Sequence, residues 1–191
     1  GTAPAGSIDC ASGTLSWDGS SAQKTAVTQW VQQYQNQCSD ASINYQGQGS
    51  GAGRTAFYSG QIPVAGSDAS IADGDRGKAD ARCSGGKAID LPMVLTPVEF
   101  IYNVKGVSDL TVTPSILAKI FSGKITTWND PAIAADNPGA NLPATAIAPV
   151  HRGDKSGTTQ NFTDYLSGAA KADWPTPVAD TWPIQGGEAA Q

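Results

Sequence analysis

One device recurs three times in the first 70 residues, and it limits the fold more than any other feature. A short segment of alternating character runs into a loop of small residues carrying Ser or Asp. Residues 12–17 (Ser-Gly-Thr-Leu-Ser-Trp) lead into Asp18-Gly19-Ser20-Ser21. Residues 42–46 (Ser-Ile-Asn-Tyr-Gln) lead into Gly47-Gln48-Gly49-Ser50-Gly51-Ala52-Gly53. Ile62-Pro63-Val64-Ala65 leads into Gly66-Ser67-Asp68-Ala69-Ser70. In two of the three cases a helical pattern starts at once. Strand followed by helix, repeated, predicts an α/β fold with a mainly parallel sheet. In such a sheet the loops gather at the carboxyl edge of the strands, where ligands bind.

The helices are read from their apolar spacing. Ala22, Ala26, Val27, Trp30, Val31 and Tyr34 share one face as far as Cys38. Arg54 to Tyr58 start a short helix, and an exposed polar helix is expected over 74–83. Residues 87–104 are the most apolar part and break at Thr96-Pro97, which suits a crossing connection between lobes. Thr113 to Phe121 predict a capped helix with Pro114 at its first position. Trp128-Asn129-Asp130-Pro131 opens another short one. After a helix over 156–169 the chain is expected to be irregular, ending without a closing element. The opening Gly1-Thr2-Ala3-Pro4-Ala5-Gly6-Ser7 reads as a flexible linker left after processing or cloning.

A fourth strand–loop–helix unit carries the strongest chemistry. Ala146-Ile147-Ala148-Pro149-Val150 runs into His151-Arg152-Gly153-Asp154-Lys155-Ser156-Gly157-Thr158-Thr159, and Phe162, Tyr165, Leu166 and Ala169 then mark a helix. A hydroxyl-rich turn at a helix start concentrates backbone N–H donors on one point. Arg152 supplies charge, and Asp154 two residues on holds its guanidinium fork. The plainer alternatives are a surface ion pair and an ordinary helix cap. Taken together on one turn, these residues predict an oxyanion site. Ser50 between two glycines, and Ser20 or Ser21, are ambiguous between anion donors and turn residues. Asp68 is more informative. A carboxylate repels an anion unless the ligand brings a proton to donate, so Asp68 would select a protonated oxyanion over sulfate.

Other chemistries fit less well. Gly153-Asp154-Lys155-Ser156-Gly157 is interrupted as a serine-protease sequence by Lys155, and His151, the single histidine, fits no known triad order. The pattern GxxxxGK[ST] is absent. A net charge of −5 argues against nucleic acid as a partner. The three cysteines make no CxxC pair and no zinc set. We expect a Cys38–Cys83 bridge, closing about 45 residues and contributing about 4 kcal/mol in the chain-entropy model, against the alternative of buried free thiols. A bridge implies an oxidising compartment, and it leaves Cys10 over.

Together the four loops resemble the substrate-binding proteins of bacterial phosphate ABC transporters, the Pst system, in their actinobacterial form. Arg152-Gly153-Asp154-Lys155-Ser156-Gly157-Thr158-Thr159 looks like that family's Arg-x-Asp-x-Ser-Gly-Thr signature, and the three N-terminal loops look like its other binding loops. The resemblance implies a two-lobed type II periplasmic-binding-protein fold. Residues 1–95 would form the first segment of lobe one, with a linker at 1–9, and 96–191 part of lobe two. Inorganic phosphate, as the mono- or dihydrogen anion, would be held in an interlobe cleft. Its donors would be Ser21, the Ala22 amide and Ser50, then Arg152, Ser156, Gly157 and Thr158. Asp68 would accept the ligand's proton, and Asp154 would orient Arg152. No cofactor, metal or catalytic group is implied. The partner would be a membrane permease, and the location extracytoplasmic, with a lipid anchor. Family members are longer, and a returning C-terminal segment completes their first lobe. We therefore expect lobe one to be incomplete here and a second chain to carry the remainder. The alternatives are a receptor for another tetrahedral oxyanion and, from a different class, a phosphatase on this fold.

Overall fold

In a computed structural model of the chain, residues 8–190 are described, with backbone alone for 188–190. The linker expected at 1–9 lies, up to Ser7, outside the described residues. The chain divides into two compact units, Gly1–Leu91 and Pro92–Gln191.

The first unit is built on a three-stranded parallel sheet of order β2-β1-β3. Strand β1 (Gly13–Gly19) alternates over its first part, with Leu15 and Trp17 half-buried beside exposed Thr14 and Ser16, and ends buried at Asp18 and Gly19. Helix α1 (Lys24–Gln37) carries the chain back to β2 (Ala41–Tyr45), which pairs beside β1 in the register Leu15↔Ile43 and Trp17↔Tyr45. That register brings the Trp17 and Tyr45 rings together, centroids 4.6 Å apart and planes tilted by 53°. Val27 is the fully buried residue of α1, whereas Trp30 lies at the helix rim, more than a third exposed.

Helix α2 (Ser50–Tyr58) lies against the end of β1. A Cβ at Gly53 would stand 2.5 Å from Gly19 Cα and 2.7 Å from the Asp18 carbonyl oxygen, so backbone-to-backbone approach dictates glycine there. Strand β3 is short (Ala65–Gly66), pairing with Asp18 and Gly19. The longer strand expected over 62–65 does not form, because Pro63 brings no N–H to a ladder. In place of one helix over 74–83 there is a 3-10 turn, Asp73–Asp75, followed by α3 (Arg76–Asp80).

The disulfide differs from expectation. Cys10 pairs with Cys38, at a Cα–Cα distance of 5.2 Å, and Cys83 is a free, half-buried thiol. The cause is the parallel pairing. Gly13 stands opposite Ala41, so the residues entering β1 and β2 lie side by side at the amino edge of the sheet. Helix α1 delivers Cys38 to that edge, where the Cys38 amide donates to the Tyr34 carbonyl at 2.8 Å. The Tyr34 hydroxyl in turn accepts from the Ala11 amide at 2.9 Å.

The second unit is organised on three capped helices. Thr113 caps α4 (Pro114–Phe121) by accepting from the Ile116 amide. Asp130 caps α5 (Pro131–Asp136) through the Ala132 amide, and Ser156 caps α6 (Gly157–Ala169). Ile116, Ile120, Ile125 and Ile133 form one buried cluster; Leu117, Ala118, Leu166, Ala170 and Trp174 form the other. Strand β4 (Val150–Arg152) is paired in parallel with β5 (Glu188–Ala190). The chain therefore does carry a closing strand, contrary to the irregular end expected. Its approach is fixed at Gly187, where a Cβ would stand 2.8 Å from the Pro149 carbonyl oxygen. The apolar stretch 87–104 joins no strand among the described residues.

Candidate functional site

In the first unit the carboxyl ends of β1, β2 and β3 bring three of the predicted loops together. Asp68, just past β3, is the centre. Its Oδ1 accepts from the Ser20 hydroxyl. Its Oδ2 accepts from the Ser50 hydroxyl at 3.2 Å, and its own amide donates to Ser50 Oγ at 3.2 Å. Ser20 and Ser50 are fully buried. One residue from each loop thus converges from positions far apart in sequence, because the sheet aligns the strand ends.

Ser20 and Ser21 were indistinguishable from sequence, and the structure separates them. Ser20 faces Asp68, while Ser21 and Ala22 lie exposed in the turn that opens α1, the Ser21 carbonyl accepting from the Lys24 amide at 3.3 Å. Three residues had escaped the sequence reading. Asp18 Oδ1 accepts from the Gly19 amide at 2.7 Å and the Gln48 amide at 2.8 Å, clamping the glycine loop to the end of β1. The Tyr45 hydroxyl donates to the Ser20 carbonyl at 2.6 Å, and the Gln23 side-chain amide to the Ser67 carbonyl at 3.3 Å. A strand-end Asp followed by glycine and a Tyr in the last strand position were the available signals.

Burial, then the negative charges of Asp18 and Asp68, push the Tyr45 phenol well above its ordinary 10.0. Tyr45 therefore stays a neutral donor. Its folded form keeps the proton to higher pH than the unfolded chain does. Its contribution to stability is whole below pH 10.0 and is lost as pH rises through the folded-state value. Denaturant unfolding across the alkaline range should show a steeper fall in stability for the wild-type chain than for Tyr45→Phe. Equal alkaline slopes would refute the linkage.

In the second unit, β4 ends at Arg152, whose Nε and one terminal nitrogen donate to the two oxygens of Asp154 at 2.7 and 2.6 Å. This is a bidentate fork, and both side chains are largely shielded from water. Ser156 is buried, and its Oγ accepts from the Thr158 and Thr159 amides at 3.1 and 3.5 Å. Its own amide donates to the Asp180 carbonyl at 2.8 Å. Gly157 and Thr158 occupy the first turn of α6, where the helix dipole is positive. The structure thus places Arg152, Asp154, Ser156, Gly157 and Thr158 on one strand–helix turn. His151 belongs to the framework of that turn. Its ring stacks on Trp182 at 4.6 Å and faces the Arg152 and Gly186 carbonyls at 2.9 and 3.2 Å. Beside the turn, a hollow of about 530 Å³ is lined by aromatic rings, Phe100, Phe121, Phe162 and Trp182 among them, and by Arg152 and Thr158.

Parallel strands whose polar loops collect at the carboxyl edge, with a second strand–helix turn built around an arginine, define an α/β architecture. Residues 5–190 match the family model described as the PBP superfamily domain, and the chain belongs to that superfamily. It is 42% identical over 180 residues to the phosphate-binding protein PstS2 of Mycobacterium bovis, covering 93% of this chain and 48% of that relative. It is 34% identical over 186 residues to the phosphate-binding protein PstS of Xylella fastidiosa, covering 96% of this chain and 49% of the relative. The chain spans about half the length of the curated relatives it matches. Among solved structures, the fold is similar to that of a protein of Clostridium perfringens assigned as a phosphate ABC transporter substrate-binding protein and solved with bound phosphate. The TM-score is 0.59 at 16% identity, covering 92% of this chain and 63% of that one. An ABC-type phosphate transport receptor of Vibrio cholerae gives a TM-score of 0.53 at 16% identity, covering 94% and 63%.

Proposed function

We propose that this chain binds inorganic phosphate, without catalysis, as part of an extracytoplasmic receptor that delivers the anion to the membrane permease of an ABC transporter. The observation that carries this reading is the Arg152–Asp154 fork beside the Ser156-capped start of α6. It joins a fixed positive charge to a helix N-terminus, the two elements an oxyanion needs. The relatives' names support phosphate among oxyanions, and so does Asp68, whose carboxylate accepts hydroxyl protons and opposes an unprotonated anion. We assign residues 1–95 to lobe one and 96–191 to lobe two. Ser21, the Ala22 amide, Ser50, Asp68, Arg152, Ser156, Gly157 and Thr158 are the proposed phosphate residues. The Cys10–Cys38 bridge accords with an oxidising, extracytoplasmic location. Among the described residues, no helix is long and apolar enough to cross a membrane.

A second polypeptide is part of the same proposal. Ile89, Leu91, Met93 and Leu95 are 74, 69, 66 and 98% exposed in a segment that joins no strand among the described residues. An alternating apolar segment with unpaired backbone is a template for strand addition. The relatives are about twice as long as this chain, so a polypeptide corresponding to their remainder is the partner that fits.

Calorimetric titration with phosphate and with sulfate tests the function. Phosphate should saturate at one per chain and bind at least about tenfold more tightly than sulfate, the worth of one charge-assisted hydrogen bond. Sulfate binding as tight as phosphate would favour a general tetrahedral-oxyanion receptor and remove the role given to Asp68.

A further inference from the structure

Residues 179–182 belong to no helix or strand, so their backbone groups need partners from elsewhere. Those partners lie on the oxyanion turn and the helix behind it. The Ala179 amide donates to Thr163 Oγ1 at 3.0 Å, and the Thr163 hydroxyl is within reach of the Ala179 and Gln160 carbonyls, at 3.0 and 3.1 Å. The Asp180 carbonyl accepts from the Ser156 amide at 2.8 Å. The Trp182 ring lies flat on His151, centroids 4.6 Å apart and planes within 10°. Thr163 itself is fully buried in the middle of α6. A hydroxyl in such a place is costly unless it is bonded, and a purely apolar side chain would fill the space without that cost. What the hydroxyl does there is meet the backbone of Ala179.

We propose that Thr163 is a positioning residue for the oxyanion turn, acting through residues 179–182 as a brace. This rests on the phosphate reading above. Thr163 fixes the brace at Ala179. The brace then holds the two halves of the turn against each other. Asp180 holds Ser156, and with it the Gly157 and Thr158 amides that follow. Trp182 holds His151, the neighbour of Arg152 on β4. Along the chain the halves are joined by Gly153, Asp154 and Lys155; the brace joins them a second time, from behind. An oxyanion gains most where its donors converge at the right distance and angle, and a hydrogen bond weakens steeply off line. With the brace loose, the turn must be ordered in the binding step itself, and affinity falls by that cost. Phosphate affinity therefore depends on the Thr163 hydroxyl, although Thr163 does not touch the ligand.

The test makes two measurements on the full chain and its Thr163→Val, Thr163→Ser and Trp182→Leu variants: calorimetric titration with inorganic phosphate, and amide hydrogen exchange by NMR. Thr163→Val keeps the branched shape and loses the hydroxyl; it should weaken phosphate about tenfold, while Thr163→Ser stays within about threefold of wild type. In the valine protein the Ser156 amide should exchange about tenfold faster relative to the Leu117 amide, which donates to the Thr113 carbonyl in α4. A purely structural role for Thr163 would speed both amides together and leave the affinity of the folded protein unchanged. A folded Thr163→Val chain that binds phosphate as wild type does overturns the assignment, and so does a Thr163→Ser chain weakened as much as the valine one. Should Thr163→Val fail to fold, Trp182→Leu decides: wild-type affinity and an unmoved Ser156 amide there overturn the brace. A wild-type chain that binds no phosphate overturns the phosphate reading. The exchange measurement then judges the brace by itself, and no selective change at Ser156 overturns it.

Discussion

Arg152→Ala is expected to abolish phosphate binding. The side chain leaves β4 already oriented, because Asp154 takes its Nε and one terminal nitrogen at 2.7 and 2.6 Å. Such a fork reaches an anion with its rotamer entropy already spent. Each charge-assisted bond to phosphate is worth about 1.5–3 kcal/mol, so losing two of them costs about two to four orders of magnitude in affinity. The alanine variant also leaves Asp154 without its guanidinium, a carboxylate near the helix start that now repels the ligand. Both effects act in the same direction. Arg152→Lys separates them: it keeps a charge near Asp154 but cannot form the fork, and should fall between the two. Titration calorimetry gives the affinities, and a melting curve for each variant shows whether the fold survives. A folded Arg152→Ala chain that binds phosphate within about threefold of wild type would remove Arg152 from the site.

The same turn shows why some of the site could be read from sequence and some could not. Arg152, Asp154, Ser156, Gly157 and Thr158 lie within seven consecutive positions, and local rules suffice for them: a strand end, an N-cap, a charged pair two apart. The parallel character of the first sheet was legible for the same reason, since strand-then-helix order leaves little choice. Asp68 with Ser20 and Ser50 is a different kind of object. Those three meet only because β3 and β2 flank β1, and no local pattern states that order. Ser20 against Ser21 turns on one residue of register at a strand end, which decides which hydroxyl faces in. Strand β5 was missed because three residues after two glycines carry almost no periodicity, and its pairing with β4 is long-range. The apolar run 87–104 joins no strand or helix among the described residues, and its exposure depends on what packs against it, which no window of sequence contains.

Sheet order also governs the cysteines, and there the expected effect is on stability. Cys10→Ser should lower the unfolding free energy of the first unit by about 3–4 kcal/mol, the chain-entropy value for a loop of this size. The separation bridged is 28 residues, from the entry of β1 to the end of α1. Cys10 is exposed, so serine there removes the crosslink and little else. Cys38 is buried, and serine at that site adds the cost of a hydroxyl in an apolar place. Cys38→Ser should therefore be the more destabilising of the two, and their difference measures packing rather than crosslinking. Cys83→Ser should change stability by no more than about 0.5–1 kcal/mol, as for a substitution that breaks no bond. Denaturant unfolding of the three variants, with and without reductant, reads each term. Reductant should bring the wild-type chain down to Cys10→Ser and leave Cys10→Ser unmoved. Had Cys38 bridged Cys83, the order would be reversed, with Cys83→Ser costly and Cys10→Ser silent. That reversal, or alkylation of Cys10 in the unreduced protein, would show that β1 and β2 do not enter the sheet side by side as the register Gly13↔Ala41 requires.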